Sequence, residues 1–282
     1  MKKFLALLLT GALALGVVGC GSNADAPADA DNTGDTAQTE TITLKVGASP
    51  TPHAEILAAA KDELAAKGVN LEIVEYTDYV QPNLATDSGD LDANYFQHKP
   101  YLDDFNAEQG TDLVSVGTVH YEPMGIYAGT VTDLSAVPEG TKVGIPNDAT
   151  NGGRALLLLE SNGLITLNPD AGTSATKLDI VENPLNLEIV EMEAAQLPLS
   201  LSDLGLAAIN GNYAMQNGLK TDDALAIETA DSVAAQTYGN IVVVKAGNEN
   251  APGIAELMDA LHSQTVADFI NNTYGGAVAP MQ

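Results

Sequence analysis

Cys20 is the only cysteine in 282 residues, so no intrachain disulfide can hold this chain together. Positive charge is nearly as scarce. Eleven lysines and arginines stand against 38 acidic residues, a formal charge of -27 at pH 7, and Arg154 is the only arginine. Neutralising nucleic-acid phosphate or an anionic lipid surface takes clustered cations, so this balance argues against both as partners. It favours solubility instead. Catalytic signatures are missing too: no Gly-x-Ser-x-Gly elbow, no Gly-x-x-x-x-Gly-Lys phosphate loop and no second cysteine. Only an enzyme built from scattered Asp, His and Tyr is left, so the chain is not expected to be an enzyme. His53, His98, His120 and His262 form no His-x-x-x-His pair, and neither a metal site nor a cofactor is expected.

What is present begins with Lys2 and Lys3 ahead of an apolar run from Phe4 to Val18, broken by Thr10, Gly11 and Gly16. Residues 1–19 read as a signal peptide, at the short end of what spans a hydrocarbon core of roughly 30 Å. The run ends in Val17-Val18-Gly19-Cys20, which resembles the box cut by lipoprotein signal peptidase and predicts lipidation of Cys20. One acyl chain anchors only marginally, at about 0.8 kcal/mol per buried methylene, so stable attachment needs the two or three that such a cysteine carries. Residues 20–41 hold no large apolar residue and cannot bury a core. They form a lipidated flexible tether with a reach of roughly 25 Å.

From Ile42 the pattern changes, and with 45% hydrophobic residues the remainder is no acidic disordered tail. Ile42, Leu44 and Val46 alternate with polar residues, and Pro52 then precedes a helical set, Ile56, Leu57, Ala60 and Leu64, stopped at Gly68. Further strands are expected near 69–74, 92–96, 113–119, 142–145, 187–192, 206–209 and 241–244. Helices are expected from Lys99, over 150–161 and over 251–273. Strands separated by helices predict an α/β fold with mainly parallel sheets. The polar segment Thr130–Gly140 reads as the lead into a second sheet, and hence as the start of a two-lobed architecture.

Two places concentrate candidate chemistry. Arg154 follows Asn151-Gly152-Gly153 in the first turns of a predicted helix. Guanidinium grips a carboxylate through two parallel hydrogen bonds, a geometry lysine does not reproduce. Spacing alone leaves this reading level with an ordinary surface ion pair. The second place is Asn94-Tyr95-Phe96-Gln97-His98-Lys99-Pro100-Tyr101, where a strand ends and a helix begins, so that Phe96, His98 and Tyr101 can converge above the sheet. Six of the twelve Phe and Tyr residues beyond the signal peptide fall between 76 and 105. Core packing is the better reading for Tyr76, Tyr95 and Phe105. Tyr79, Phe96 and Tyr101 stay open between the core and an apolar or thioether ligand group.

Those strings, together with Pro52-His53-Ala54-Glu55-Ile56-Leu57, Asp78-Tyr79-Val80-Gln81-Pro82-Asn83, Gln196-Leu197-Pro198 and Tyr274-Gly275-Gly276-Ala277, resemble the methionine-binding lipoproteins of ABC importers, the NlpA lipoprotein family. The resemblance covers nearly the whole chain after the tether. It implies a type II periplasmic-binding-protein fold: two α/β lobes, 42–121 with 239–282 and 122–238, joined by crossovers near His120–Pro123 and Thr237–Asn240. It further implies an amino-acid site at Tyr79, Phe96, His98, Tyr101, Arg154, Asn210 and Asn240. Arg154 would take the ligand carboxylate, the three aromatic residues its side chain, the two asparagines its polar backbone, and His98 a place near the thioether. Two departures stand out. Asn151-Gly152-Gly153-Arg154 replaces Asn-Leu-Gly-Arg and is expected to loosen the helix start. Asn210-Gly211-Asn212 replaces Asn-Thr-Thr and is expected to alter the rim.

The implied protein is lipid-anchored at the cell membrane, faces the periplasm or exterior, captures methionine in the L or the D form, and hands it to a permease and ATPase complex. Alternatives are a binder of another amino acid or of a methionine-containing dipeptide, and a surface adhesin that retains the scaffold. A hydrolase is the weakest reading.

Overall fold

The computed structural model describes residues 41–229 and 236–281. The signal peptide, Cys20 and the tether up to residue 40 lie outside the described residues.

The alternation that opens at Ile42 forms strand β1 (Ile42–Ala48), with Val46 and Ala48 fully buried. It joins β2 (Val69–Glu75), β3 (Ala93–His98), β4 (Leu113–Tyr121), β12 (Asn240–Lys245) and β13 (Ala279–Pro280) in one sheet, ordered β13-β4-β12-β3-β1-β2. A second sheet holds β5 (Gly125–Ala128), β6 (Lys142–Pro146), β9 (Glu188–Met192), β10 (Leu206–Ile209) and β11 (Ala224–Ile227), ordered β11-β5-β10-β6-β9. The short strands β7 (Thr166–Leu167) and β8 (Ile180–Glu182) pair separately. The chain passes between the large sheets twice, between Tyr121 and Gly125 and again between Ile227 and Asn240. This is the type II periplasmic-binding-protein fold.

Neither sheet is mainly parallel. β12 runs antiparallel to both β3 and β4, and β5 antiparallel to both β10 and β11, whereas β1 with β2 and β3, and β6 with β9 and β10, are parallel. The strands that break the pattern enter or leave by a passage between sheets. A crossover that returns to the same sheet is what makes neighbouring strands parallel, and these strands arrive from the other sheet or leave for it. The Thr130–Gly140 segment also departs from expectation: β5 already belongs to the second sheet, so the segment links two of its strands.

The predicted first helix is broken into an irregular turn, Pro50–Ala54, and two short helices, α1 (Glu55–Ala59) and α2 (Lys61–Ala66), yet Ile56, Leu57, Ala60 and Leu64 are all fully buried. They pack with Val242 and Val244 of the first sheet and with Leu257 and Val266 of the two C-terminal helices. Longer helices are α3 (Gln81–Ser88), α4 (Lys99–Gln109), α5 (Ala149–Ser161), α7 (Ile254–Leu261) and α8 (Gln264–Tyr274), with the single-turn α6 (Gly211–Gln216) after β10. Leu156 and Leu159 of α5 pack on Ile126, Val143 and Leu206 of the second sheet. Among the described residues no helix is long and apolar enough to cross a membrane.

Candidate functional site

The ends of β3 and β10 and the first turns of α4, α5 and α6 meet at one cavity of about 340 Å³, counting its open mouth. Its lining brings together all seven residues expected to contact a ligand: Tyr79, Phe96, His98, Tyr101, Arg154, Asn210 and Asn240. Gln97, Glu122, Asn151, Gly211 and Asn212 line it as well, and the sequence reading did not place them in the site.

His98 ends β3 and caps α4. Its Nδ1 accepts from the Tyr101 backbone N–H at 3.2 Å, so the ring proton sits on Nε2, which donates to Asn151 Oδ1 at 3.1 Å. Both ring nitrogens are thereby engaged, and none is left for the expected contact with a thioether. Burial, helped by the Arg154 charge, lowers the His98 pKa to about 3. Asn151 Oδ1 also accepts from Asn210 Nδ2 at 2.7 Å, so one amide ties the end of β3 to the end of β10. Asn151 is itself held by Asp148, the α5 N-cap, which accepts from its backbone N–H and its side-chain amide, each at 2.9 Å. The glycine pair at 152–153 therefore does not leave the helix start loose. Asp148→Ala is expected to cost about 1 kcal/mol, read as a lower denaturant midpoint.

Tyr79, Phe96 and Tyr101 form an aromatic cluster with ring centroids 5.7 to 6.2 Å apart. The Tyr79 hydroxyl donates to Asn212 Oδ1 at 2.6 Å, and the Tyr101 hydroxyl to the Tyr79 carbonyl at 3.1 Å. Tyr213, which the sequence did not flag, stacks on Tyr79 at 4.8 Å. Phe105 supports the cluster from behind, and Tyr95 is a core residue, both as expected; Tyr76 is only partly buried.

Arg154 is buried and takes part in an ion pair, though not a surface one. Nε donates to Glu228 Oε1 at 2.8 Å and Nη2 to Oε2 at 2.5 Å, while Nη2 also meets the Glu122 carbonyl at 2.8 Å. Glu228 accepts further from the Tyr121 hydroxyl and the Met124 N–H, both at 2.8 Å, and Tyr238 lies 4.4 Å from the guanidinium. Burial would lower the Arg154 pKa and raise that of Glu228. Their mutual attraction outweighs it, so Arg154 shifts up and Glu228 down. These hydrogen bonds use Nε and Nη2.

Behind the cavity wall His53, His120 and Glu122 close into a buried network. His120 Nε2 donates to Glu122 Oε1 at 2.7 Å and its Nδ1 pairs with the Tyr95 hydroxyl. His53 Nε2 lies 2.9 Å from Asn240 Oδ1 and 3.3 Å from Glu122 Oε1. Donor atoms of these three residues come within 4.8 Å of one another, a convergence invisible in spacing. They hydrogen-bond within this network, in which His53 Nδ1 alone is a buried atom without a partner, and we assign no metal to them. Burial lowers His53 to about 4 and His120 to about 3, and lifts Glu122 to about 7 against the opposing pull of His53 and Arg154.

Two buried polar atoms in the lining have no partner: Asn210 Oδ1, an acceptor, and Asn212 Nδ2, a donor. A buried unsatisfied polar group costs about 1 to 3 kcal/mol, which a polar ligand can offset. The cavity thus offers an apolar aromatic side, an acceptor, a donor and a guanidinium, and no nucleophile paired with a base.

Comparison with known proteins places this geometry. The NlpA lipoprotein family model matches residues 44–282. The D-methionine-binding lipoprotein MetQ of Escherichia coli is 39% identical over 283 residues, covering 98% of each chain. A nutrient-binding protein of Burkholderia cenocepacia, solved bound to methionine, superposes with a TM-score of 0.80 at 41% identity, over 85% of this chain and 100% of that one. A periplasmic substrate-binding protein of an ABC transporter from Coxiella burnetii gives 0.79 at 39% identity, over 84% and 100%. With the family model spanning the chain from its first strand to its C-terminus, the protein belongs to the NlpA lipoprotein family.

Proposed function

We propose that the protein captures methionine outside the cytoplasm and delivers it to the permease and ATPase of an ABC importer, held at the membrane by lipid on Cys20. It is a binding protein and not an enzyme. The observation that carries this reading is the pair of unpartnered atoms, Asn210 Oδ1 and Asn212 Nδ2, in one cavity with Arg154 and the aromatic cluster. An α-amino acid brings an ammonium donor, a carboxylate acceptor and an apolar tail, which is the complement of that lining. Sulfur against aromatic edges contributes roughly 0.3 to 1.5 kcal/mol, so Tyr79, Phe96 and Tyr101 suit a thioether.

In this reading the ligand carboxylate takes the remaining Arg154 donors with Asn212 Nδ2 and the Asn240 amide, while Glu228 holds the guanidinium in place. The two sheets mark two lobes, 42–121 with 239–282 and 122–238, whose closure is a ligand-driven shift of population. The similarity to the methionine-bound and transporter-associated relatives supports it.

Calorimetric titration of soluble protein, unfolded and refolded to strip carried-over ligand, is expected to give saturable heat with L- or D-methionine. No heat with either would reject the ligand. Cys20→Ser is expected to release the protein from the membrane fraction; retention there would reject the anchor.

A further inference from the structure

Helix α6 follows β10 of the second sheet directly, yet most of its side chains are engaged with segments of the first. Asn212 accepts from the Tyr79 hydroxyl. Tyr213 stacks on Tyr79 and donates its hydroxyl to the Thr77 carbonyl at 3.3 Å. Gln216 Nε2 donates to the Thr51 carbonyl at 3.2 Å. Met215 packs against the core cluster of the first sheet, which holds Leu57, Val242 and Ile270. At about 100° per residue these four side chains cover an arc of roughly 160° on one side of the helix. Ala214 lies on the other side, buried with Leu197 and Ile209 of the 122–238 segment.

The seat that receives α6 is braced from behind. Thr51 donates its hydroxyl to Glu55 Oε1 at 2.7 Å, and Glu55 Oε2 accepts from the Tyr274 hydroxyl at 2.6 Å, so the Pro50–Ala54 turn is tied to both α1 and α8. On either flank of α6 the two layers part into open grooves, one lined by Thr51, Met215 and Tyr274, the other by Thr77, Tyr213 and Gln216. The contact is therefore one helix wide and open to solvent on both flanks. Tyr213, Met215 and Gln216 stand outside the lining of the cavity described above.

We propose that Met215 and Gln216 are positioning residues that latch α6 onto the first lobe in the closed protein, and so set how long methionine is retained without touching it. This deepens the two-lobe reading above and rests on it. The lobes part only if Gln216 leaves Thr51 and Met215 leaves its cluster. A contact confined to the closed form stabilises that form whatever occupies the cavity, so it multiplies the affinity for every ligand by the same factor. Because it forms after the ligand has entered, its loss is felt in the dissociation rate. A residue of the cavity wall would instead discriminate among ligands.

The test uses the refolded soluble protein, with affinity from calorimetry and the dissociation rate from a chase of radiolabelled methionine by excess unlabelled methionine. Gln216→Ala removes one hydrogen bond and is expected to raise Kd and the dissociation rate together by about 2- to 10-fold. Met215→Ala is expected to raise both in the same way. The ratio of affinities for methionine and its S-ethyl homologue ethionine should keep its wild-type value in each variant. Wild-type Kd and dissociation rate in both variants, or a changed ethionine ratio, overturn the latch and leave the methionine reading standing. No binding of methionine to the wild-type protein overturns both. The two substitutions are made separately, so where one variant fails to fold the other decides.

Discussion

Arg154→Ala is expected to lower methionine affinity by roughly 100-fold, the equivalent of losing a charge-assisted hydrogen bond worth about 1.5 to 3 kcal/mol. The same substitution strands Glu228, 8% exposed at its side chain, without its cation. Breaking a buried pair from one side costs about 3 to 5 kcal/mol, so the single variant confounds binding with folding. Arg154→Met combined with Glu228→Gln separates them: both charges go, while an amide oxygen remains for the Tyr121 hydroxyl and the Met124 N–H. This double variant is expected to recover most of the lost stability and none of the binding. Wild-type affinity in a folded double variant, measured by the same titration, would remove Arg154 from the site.

Acid is expected to destabilise the protein steeply and early. His53, His98 and His120 are held near 4, 3 and 3, all below the ordinary 6.5. As pH falls through 6.5 the unfolded chain takes up three protons that the folded chain refuses, and the stability contributed by the neutral rings is lost. Glu122 acts in the opposite sense. Its folded value near 7 exceeds the ordinary 4.5, so between those values the folded state holds one proton more. The net excess on the unfolded chain is close to two protons around pH 5, a loss of roughly 2 to 3 kcal/mol per pH unit. Below about pH 4.5 protonation of Glu228, whose folded value is depressed, adds to it. Against a total stability of about 5 to 15 kcal/mol, that slope is large. Denaturant midpoints at pH 7, 6 and 5 measure it, and equal midpoints would show that these histidines are not buried as neutral rings.

Much of the fold could be read from residue order. The 2-residue alternation at Ile42–Val46 and the strand at Leu206–Ile209 stand where expected, because side-chain period follows directly from backbone geometry. The junction at His98-Lys99-Pro100-Tyr101 was legible for the same reason: a proline in a first turn and a capping side chain are local devices. Strand direction was not. β12 reaches its place between β3 and β4 from the other sheet, and nothing within Asn240–Lys245 states which way its neighbours run.

The site divides along the same line. Sequence by itself determined that the chain carries one cysteine suited to an anchor, one arginine, and an aromatic string at a strand end, and resemblance singled out the residues that line the cavity. Only the tertiary structure decided what those residues do to one another. It chose Glu228, 74 positions from Arg154, as the partner of the guanidinium. It engaged both nitrogens of His98, and it put one of 38 acidic residues, Glu122, into the wall beside Gly211. The reason is physical: period and capping depend on neighbours within a few residues, whereas the protonation and pairing of a buried group depend on which side chains from distant segments exclude water around it.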